Sequence, residues 1–136
     1  MATHHFPIPI EKRYAAFVNP FEACHEAAIR YAEANPGANG AIGQSSVDTY
    51  LSTGYADPGL FTYVITSPGT VTTYMTVPVA AQSTVISRIQ KLYSFALYAG
   101  IVTAGNIVPL LPNQPVAAPV GVPNGVIAIQ TIVRNH

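Results

Sequence analysis

Phe61-Thr62-Tyr63-Val64-Ile65-Thr66, then Ser67-Pro68-Gly69-Thr70, then Val71-Thr72-Thr73-Tyr74-Met75-Thr76-Val77 is the stretch from which the fold is read. Two runs of β-branched and aromatic residues flank a Pro-Gly turn, the signature of a β-hairpin. Side chains alternate along a strand, so Phe61, Tyr63 and Ile65 share one face and Thr62, Val64 and Thr66 the other. Threonines in place of charges on the outer face suit a sheet that packs against a neighbour.

Helices are expected on both sides of this hairpin. Before it, Asn19 is placed to cap, Pro20 to occupy the first helical position and Glu22 to close a capping box, which predicts a helix from Pro20 to Ala34. Asn35-Pro36-Gly37 stops it. Ala23, Cys24, Ala27, Ala28 and Tyr31 form its apolar side, opposite Glu22, Glu26, Arg30 and Glu33. Residues 35 to 59 read as a long loop and a candidate contact region, with one helical turn around Val47, Tyr50 and Leu51. After the hairpin, Val85, Ile89, Leu92, Tyr93 and Ala96 recur at the helical period and predict a helix from Ala80 to Ala99.

The last third reads as extended. Ile101-Val102-Thr103 and Ile107-Val108 are short strands around Gly105-Asn106, and Pro109, Pro112, Pro115, Pro119 and Pro123 exclude helix beyond them. A strand from Val126 to Val133 is apolar or neutral on both faces, so either it sits centrally in the sheet or a partner covers it. At the other end, Phe6, Ile8 and Ile10 alternate with prolines in an extended arm, residues 1–18. The expected fold is α+β: a single small domain over 19–136, two helices packed on a mainly antiparallel sheet, with that arm and a Pro-rich connector at 105–125.

Charge is scarce. Soluble domains usually carry about a quarter of their residues as Asp, Glu, Lys and Arg, against 9% here, and from Leu92 to Val133 there are none. Six acidic and six basic residues cancel. Neutrality removes the basis for gripping a nucleic-acid backbone and favours association between molecules. Every apolar run is broken too early to span a bilayer. The N-terminus has no positive region or continuous apolar run of a secretory signal, which places the chain in a virion or a cytoplasmic assembly. One cysteine, Cys24, permits no intrachain disulfide.

Chemistry-bearing constellations are weak. His4 and His5 are neighbours on an extended arm, and Cys24 and His25 diverge by about 100° on a helix, so neither a metal site nor a Cys-His nucleophile assembles; His25 is expected at the surface and Cys24 in the core. Asp48, Asp57, Glu22 and Glu26 are the acids and bases to consider, but Asp57 precedes a Pro58-Gly59 turn and Asp48 suits a short helix cap. Gly37, Gly40 and Gly43 lack the Lys-Ser/Thr of a phosphate loop. No catalytic residue, metal or cofactor is assigned.

Eight tyrosines without a tryptophan supply interface-forming area instead. The interface candidates are Phe6, Ile8 and Ile10 on the arm, Tyr50, Tyr55 and Tyr98, and Val116, Val120 and Val122 in the Pro-rich stretch. These features predict a non-enzymatic structural subunit of a symmetric, self-assembling protein array, contacting copies of itself or neighbouring structural proteins. Its most concrete form is a virion component such as a capsid decoration or cement protein. The rival expectation is a small enzyme or ligand-binding domain with a pocket lined by Tyr63, Tyr74, Met75 and Tyr93.

Overall fold

A computed structural model describes residues 16–52, 54, 57–66, 69–92, 97–108, 116–119 and 121–133, with the side chains of 90–98 excepted. The elements in chain order are α1 (Val18–Ala34), β1 (Gly40–Ile42), α2 (Gln44–Asp48), β2 (Thr62–Thr66), β3 (Thr70–Thr76), α3 (Val79–Leu92), β4 (Leu97–Thr103), β5 (Asn106–Val108), β6 (Val116–Ala117) and β7 (Val126–Ile132). The strands form one antiparallel sheet in the order β1-β2-β3-β7-β4-β5-β6. Among the described residues three helices, one more than expected, pack on a seven-stranded antiparallel sheet, and the α+β class is as expected.

The hairpin that opened the reading is the β2–β3 pair, with Ile65 opposite Val71 and Tyr63 opposite Thr73. Phe61, Tyr63 and Ile65 are buried with Val71 and Met75 against the helices, and Phe21 of α1 stacks on Phe61 at 4.8 Å between ring centroids. The helix-facing core joins these to Cys24, Ala27, Ala28 and Ala32 of α1, Val85, Ile86 and Ile89 of α3, and Ile127 and Ile129 of β7. Of the two alternatives for the strand from Val126, the structure realises the central one: β7 lies between β3 and β4. Residues 126–130 of it are buried on both faces. The opposite face of the sheet carries a second, smaller core of Val102, Ile107, Val126 and Ala128, against which Tyr74, Val116, Ala118 and Val122 pack.

Several local expectations need correction. The first helix begins at Val18, and Phe17, not Asn19, is its cap residue, without a side-chain cap bond. Burial of Val18 and Phe21 in the core outweighs the fraction of a kcal/mol to about 2 kcal/mol that a capping side chain contributes. Pro20 is tolerated because its missing N–H lies in the first turn, where no intrahelical partner exists. The third helix ends near Leu92 rather than Ala99. Residues 97–99 are strand, paired with Thr131, Gln130 and Ile129 of β7. The 35–59 loop contains β1 and α2. Asp48 closes α2 instead of capping its start.

Candidate functional site

Two polar clusters are built on α1, one inside the apolar interior and one at its partly exposed edge. His25, expected at the surface, is fully buried. It follows Phe21 by four residues and precedes Ala28 by three, so one helical stripe carries it into the sheet. There Nδ1 lies 2.7 Å from the Thr73 hydroxyl and Nε2 2.8 Å from that of Thr131. Those threonines are diagonal neighbours on β3 and β7, since Thr73 faces Ile129 and Thr131 faces Val71. A neutral imidazole offers one donor and one acceptor, which two hydroxyls complement. Burial pulls the His25 pKa down to about 3, keeping the ring neutral.

One residue earlier, Cys24 points to the β2 side. Its thiol is hydrogen-bonded with the Tyr63 hydroxyl, and that hydroxyl donates to Asp57 Oδ2 at 3.0 Å. Asp57 Oδ1 accepts the Gly59 N–H at 2.8 Å, closing the Asp-Pro-Gly turn read from the sequence. Burial pushes the Cys24 thiol up to about 11, away from the thiolate a nucleophile needs. Cys24 and His25 therefore serve different networks and do not meet as a dyad. Asp48 of α2 completes the second cluster. Burial first, then the neighbouring Asp57 carboxyl, push it up to about 6, while the Gln44 side chain opposes the rise.

Glu22 and Glu26 line a shallow cleft with Asn19, Ala23 and Ser52. Burial, then the charge of Glu26, raises the Glu22 pKa. The cleft encloses about 70 Å³, well under the roughly 300 Å³ at which small-molecule pockets begin. The pocket imagined between sheet and helices is not formed by its four aromatic and Met residues. Tyr63 and Met75 are packed solid on the helix side, at 1% and 2% exposure. Tyr74 lies on the opposite face with the second core, and Tyr93 is outside the described residues. Among the described residues no group of three His, Cys, Asp or Glu could hold a metal. No helix among them is long and apolar enough to cross a membrane.

The interface candidates are scattered. Tyr50 is half-buried, packed against the helix-side core and edge-on to Tyr31 at 6.0 Å. Val116 and Val122 are half-buried on the second core, on the far side of the sheet from Tyr50. Tyr98 is in β4. Phe6, Ile8, Ile10, Tyr55 and Val120, with the arm through residue 15, lie outside the described residues. What the sequence reading missed is the pair of polar clusters. The 21/25/28/32 spacing was the available signal for His25, but its partners lie 48 and 106 residues away along the chain.

Comparison with known proteins gives no match among curated proteins. A crystal structure of a protein described as pilM from Pseudomonas aeruginosa 2192 is similar over 86% of this chain and 93% of that one, at 20% identity and a TM-score of 0.42. The family model for PilM matches residues 11–129. That match overturns the expectation of a virion component and of capsid decoration. Low charge reports how much of a chain is covered, not what covers it. With the match running from before α1 into β7, the chain belongs to the PilM family.

Proposed function

We propose that this protein is a non-enzymatic component of a pilus assembly apparatus, working by contact with other pilus-assembly proteins and with copies of itself. The PilM family match over residues 11–129 is the observation that carries this reading. Its chemistry is consistent with a scaffold's. The buried Cys24 is held as a thiol and the buried His25 as a neutral ring, so neither side chain offers an activated group to a substrate.

The test is genetic and visual. Removing the gene from a piliated host should abolish or sharply reduce surface pili counted by electron microscopy while growth is unchanged. Re-expression of the intact chain should restore them. Normal piliation in the deletion strain would overturn the proposal.

A further inference from the structure

The sheet has one guarded edge and one open edge. β1 closes it on one side, with no strand beyond it among the described residues, and its Gly40 and Ala41 are exposed. Natural sheets blunt such edges with charge or proline. The opposite edge, β6, is bracketed in sequence by Pro115 and Pro119, whereas from Gly37 to Val47, around β1, there is neither a proline nor a charge.

Which backbone groups the open edge offers follows from the β2–β3 hairpin. The Gly69 N–H donates to the Thr66 carbonyl at 2.8 Å, so Thr66 turns its backbone groups toward β3. Successive residues of a strand face opposite neighbours, so Tyr63 and Ile65 turn theirs toward β1. Their partners there are Ile42 and Gly40. Ala41, opposite Val64, is left with its N–H and C=O facing outward, and the same alternation carries back to Asn39. The ladder stops at Gly43, whose carbonyl already accepts the N–H groups of Ser46 and Val47 at the start of α2.

The sequence holds a segment suited to a ladder on one side only, Phe6-Pro7-Ile8-Pro9-Ile10. Prolines at alternate positions put both missing N–H groups on one edge of an extended chain and leave Phe6, Ile8 and Ile10 to bond on the other. Set antiparallel to β1, Ile8 lies opposite Ala41 and Ile10 opposite Asn39. Pro7 and Pro9 then fall opposite Ile42 and Gly40, whose backbone groups are already turned toward β2. The Ile8 side chain joins Ala41 and Val64 on the uncharged face away from the helices. We propose that residues 6–10 of one copy add to β1 of a second copy as a terminal strand, one arm to each edge, since the proline side of the arm offers no N–H to a further strand. The inference rests on the self-contact part of the proposed function and names its surface.

Reach favours a second copy over the chain's own arm. In this register Ile10 sits beside Asn39, at the Ile65 end of β2, whereas α1 begins at the other end, where Phe21 stacks on Phe61. Residues 11–15 would have to return along the strand and cross from the sheet edge to the helix face within about 20 Å. The arm of another copy carries no such tether, and the zero net charge raises no repulsion between copies.

Two full-length variants, Ile8→Cys and Ala41→Cys, test the pairing when mixed and oxidised; Cys24 is fully buried and does not compete. Opposed residues of a hydrogen-bonded pair have Cα atoms about 5.5 Å apart, within disulfide reach. A disulfide joining the two variants is expected, and none above background when Ala117→Cys on β6 replaces Ala41→Cys. In the double variant, a link between positions 8 and 41 inside one chain would show the arm closing its own edge and would overturn the exchange. Ala41→Pro supplies a second measurement, because it removes an outward N–H without touching a β1–β2 bond. It should weaken self-association in sedimentation by about tenfold while the thermal transition is kept. Heavy species that survive Ala41→Pro, with no link between the mixed variants, sink this interface but leave self-contact standing. A monomer in the intact chain at micromolar concentration removes both.

Discussion

At the scale of single residues, His25 carries a polar ring into an apolar layer, which is tolerable only because Thr73 and Thr131 meet both nitrogens. His25→Ala removes the ring and strands two hydroxyls, so chemical denaturation should show a loss of about 3–5 kcal/mol. His25→Leu combined with Thr73→Val and Thr131→Val should recover much of it, because no polar partner is then left unpaired. The pH dependence has a definite sign. With a folded pKa near 3 against an ordinary value of 6.5, the unfolded chain binds the proton first. Stability should fall as pH drops below about 6.5, by up to about 1.4 kcal/mol per pH unit, and the slope should flatten in His25→Gln. Asp48 contributes the opposite slope between its ordinary value and about 6, being stabilising when protonated. A thermal melt series across acid pH on both single variants separates the two. The sequence displayed His25 at core spacing, but its polarity argued for the surface; only threonines from two distant strands, which no local pattern links, reverse that preference.

At the scale of elements, the reading succeeded where local preference and tertiary pairing agree. The β2–β3 hairpin is one such case, since alternation and burial select the same register, while Ser67 and Pro68 of its expected turn lie outside the described residues. The boundary between α3 and β4 is a failure of the same method. Leu97, Tyr98 and Ala99 fit a continuing helix by period, yet β7 offers them a strand partner, and pairing along a buried ladder outweighs weak helix propensity. The β4–β5 hairpin turns at Ala104 and Gly105, both at positive φ, 51° and 81°. Such a two-residue turn suits the twist of the strands but strains an alanine. Ala104→Asn should therefore raise the melting temperature by a few degrees, for a gain of about 0.5–1 kcal/mol. An unchanged or lower melting temperature would show that the turn relaxes around alanine. The Pro-rich connector was legible as extended chain, but not that Val116, Ala118 and Val122 would fold back over the sheet's second face.

At the scale of the whole molecule, the charge-free run from Leu92 to Val133 has an internal explanation. It supplies the central strand β7, its neighbour β4, and the cover for the face away from the helices. Part of what looked like surface prepared for a partner is surface the chain covers itself. Among the described residues, the large apolar side chains left exposed are few: Val79 at 84%, Ile132 at 65%, Leu60 at 44% and Val108 at 37%. If self-contact is part of the proposed scaffold role, sedimentation at micromolar concentration should find species heavier than the 14.4 kDa chain. Deleting residues 1–10 should return them to monomer with the thermal transition retained. A monomer in both forms would confine the proposal to contacts with other proteins.

The placement of β7 also dictates an order of events. It follows every other described strand along the chain, yet it alone joins the β1-β2-β3 half of the sheet to the β4-β5-β6 half. Its pairing with β3 sets Thr76 against Val126, closing a loop of about fifty residues before that contact returns any free energy. The two halves can form early from near-neighbour contacts, but neither has its buried flank until this strand slides between them. Folding speed should therefore depend on that one insertion, and the half-sheets awaiting it expose the unpaired edges through which chains join the wrong copy.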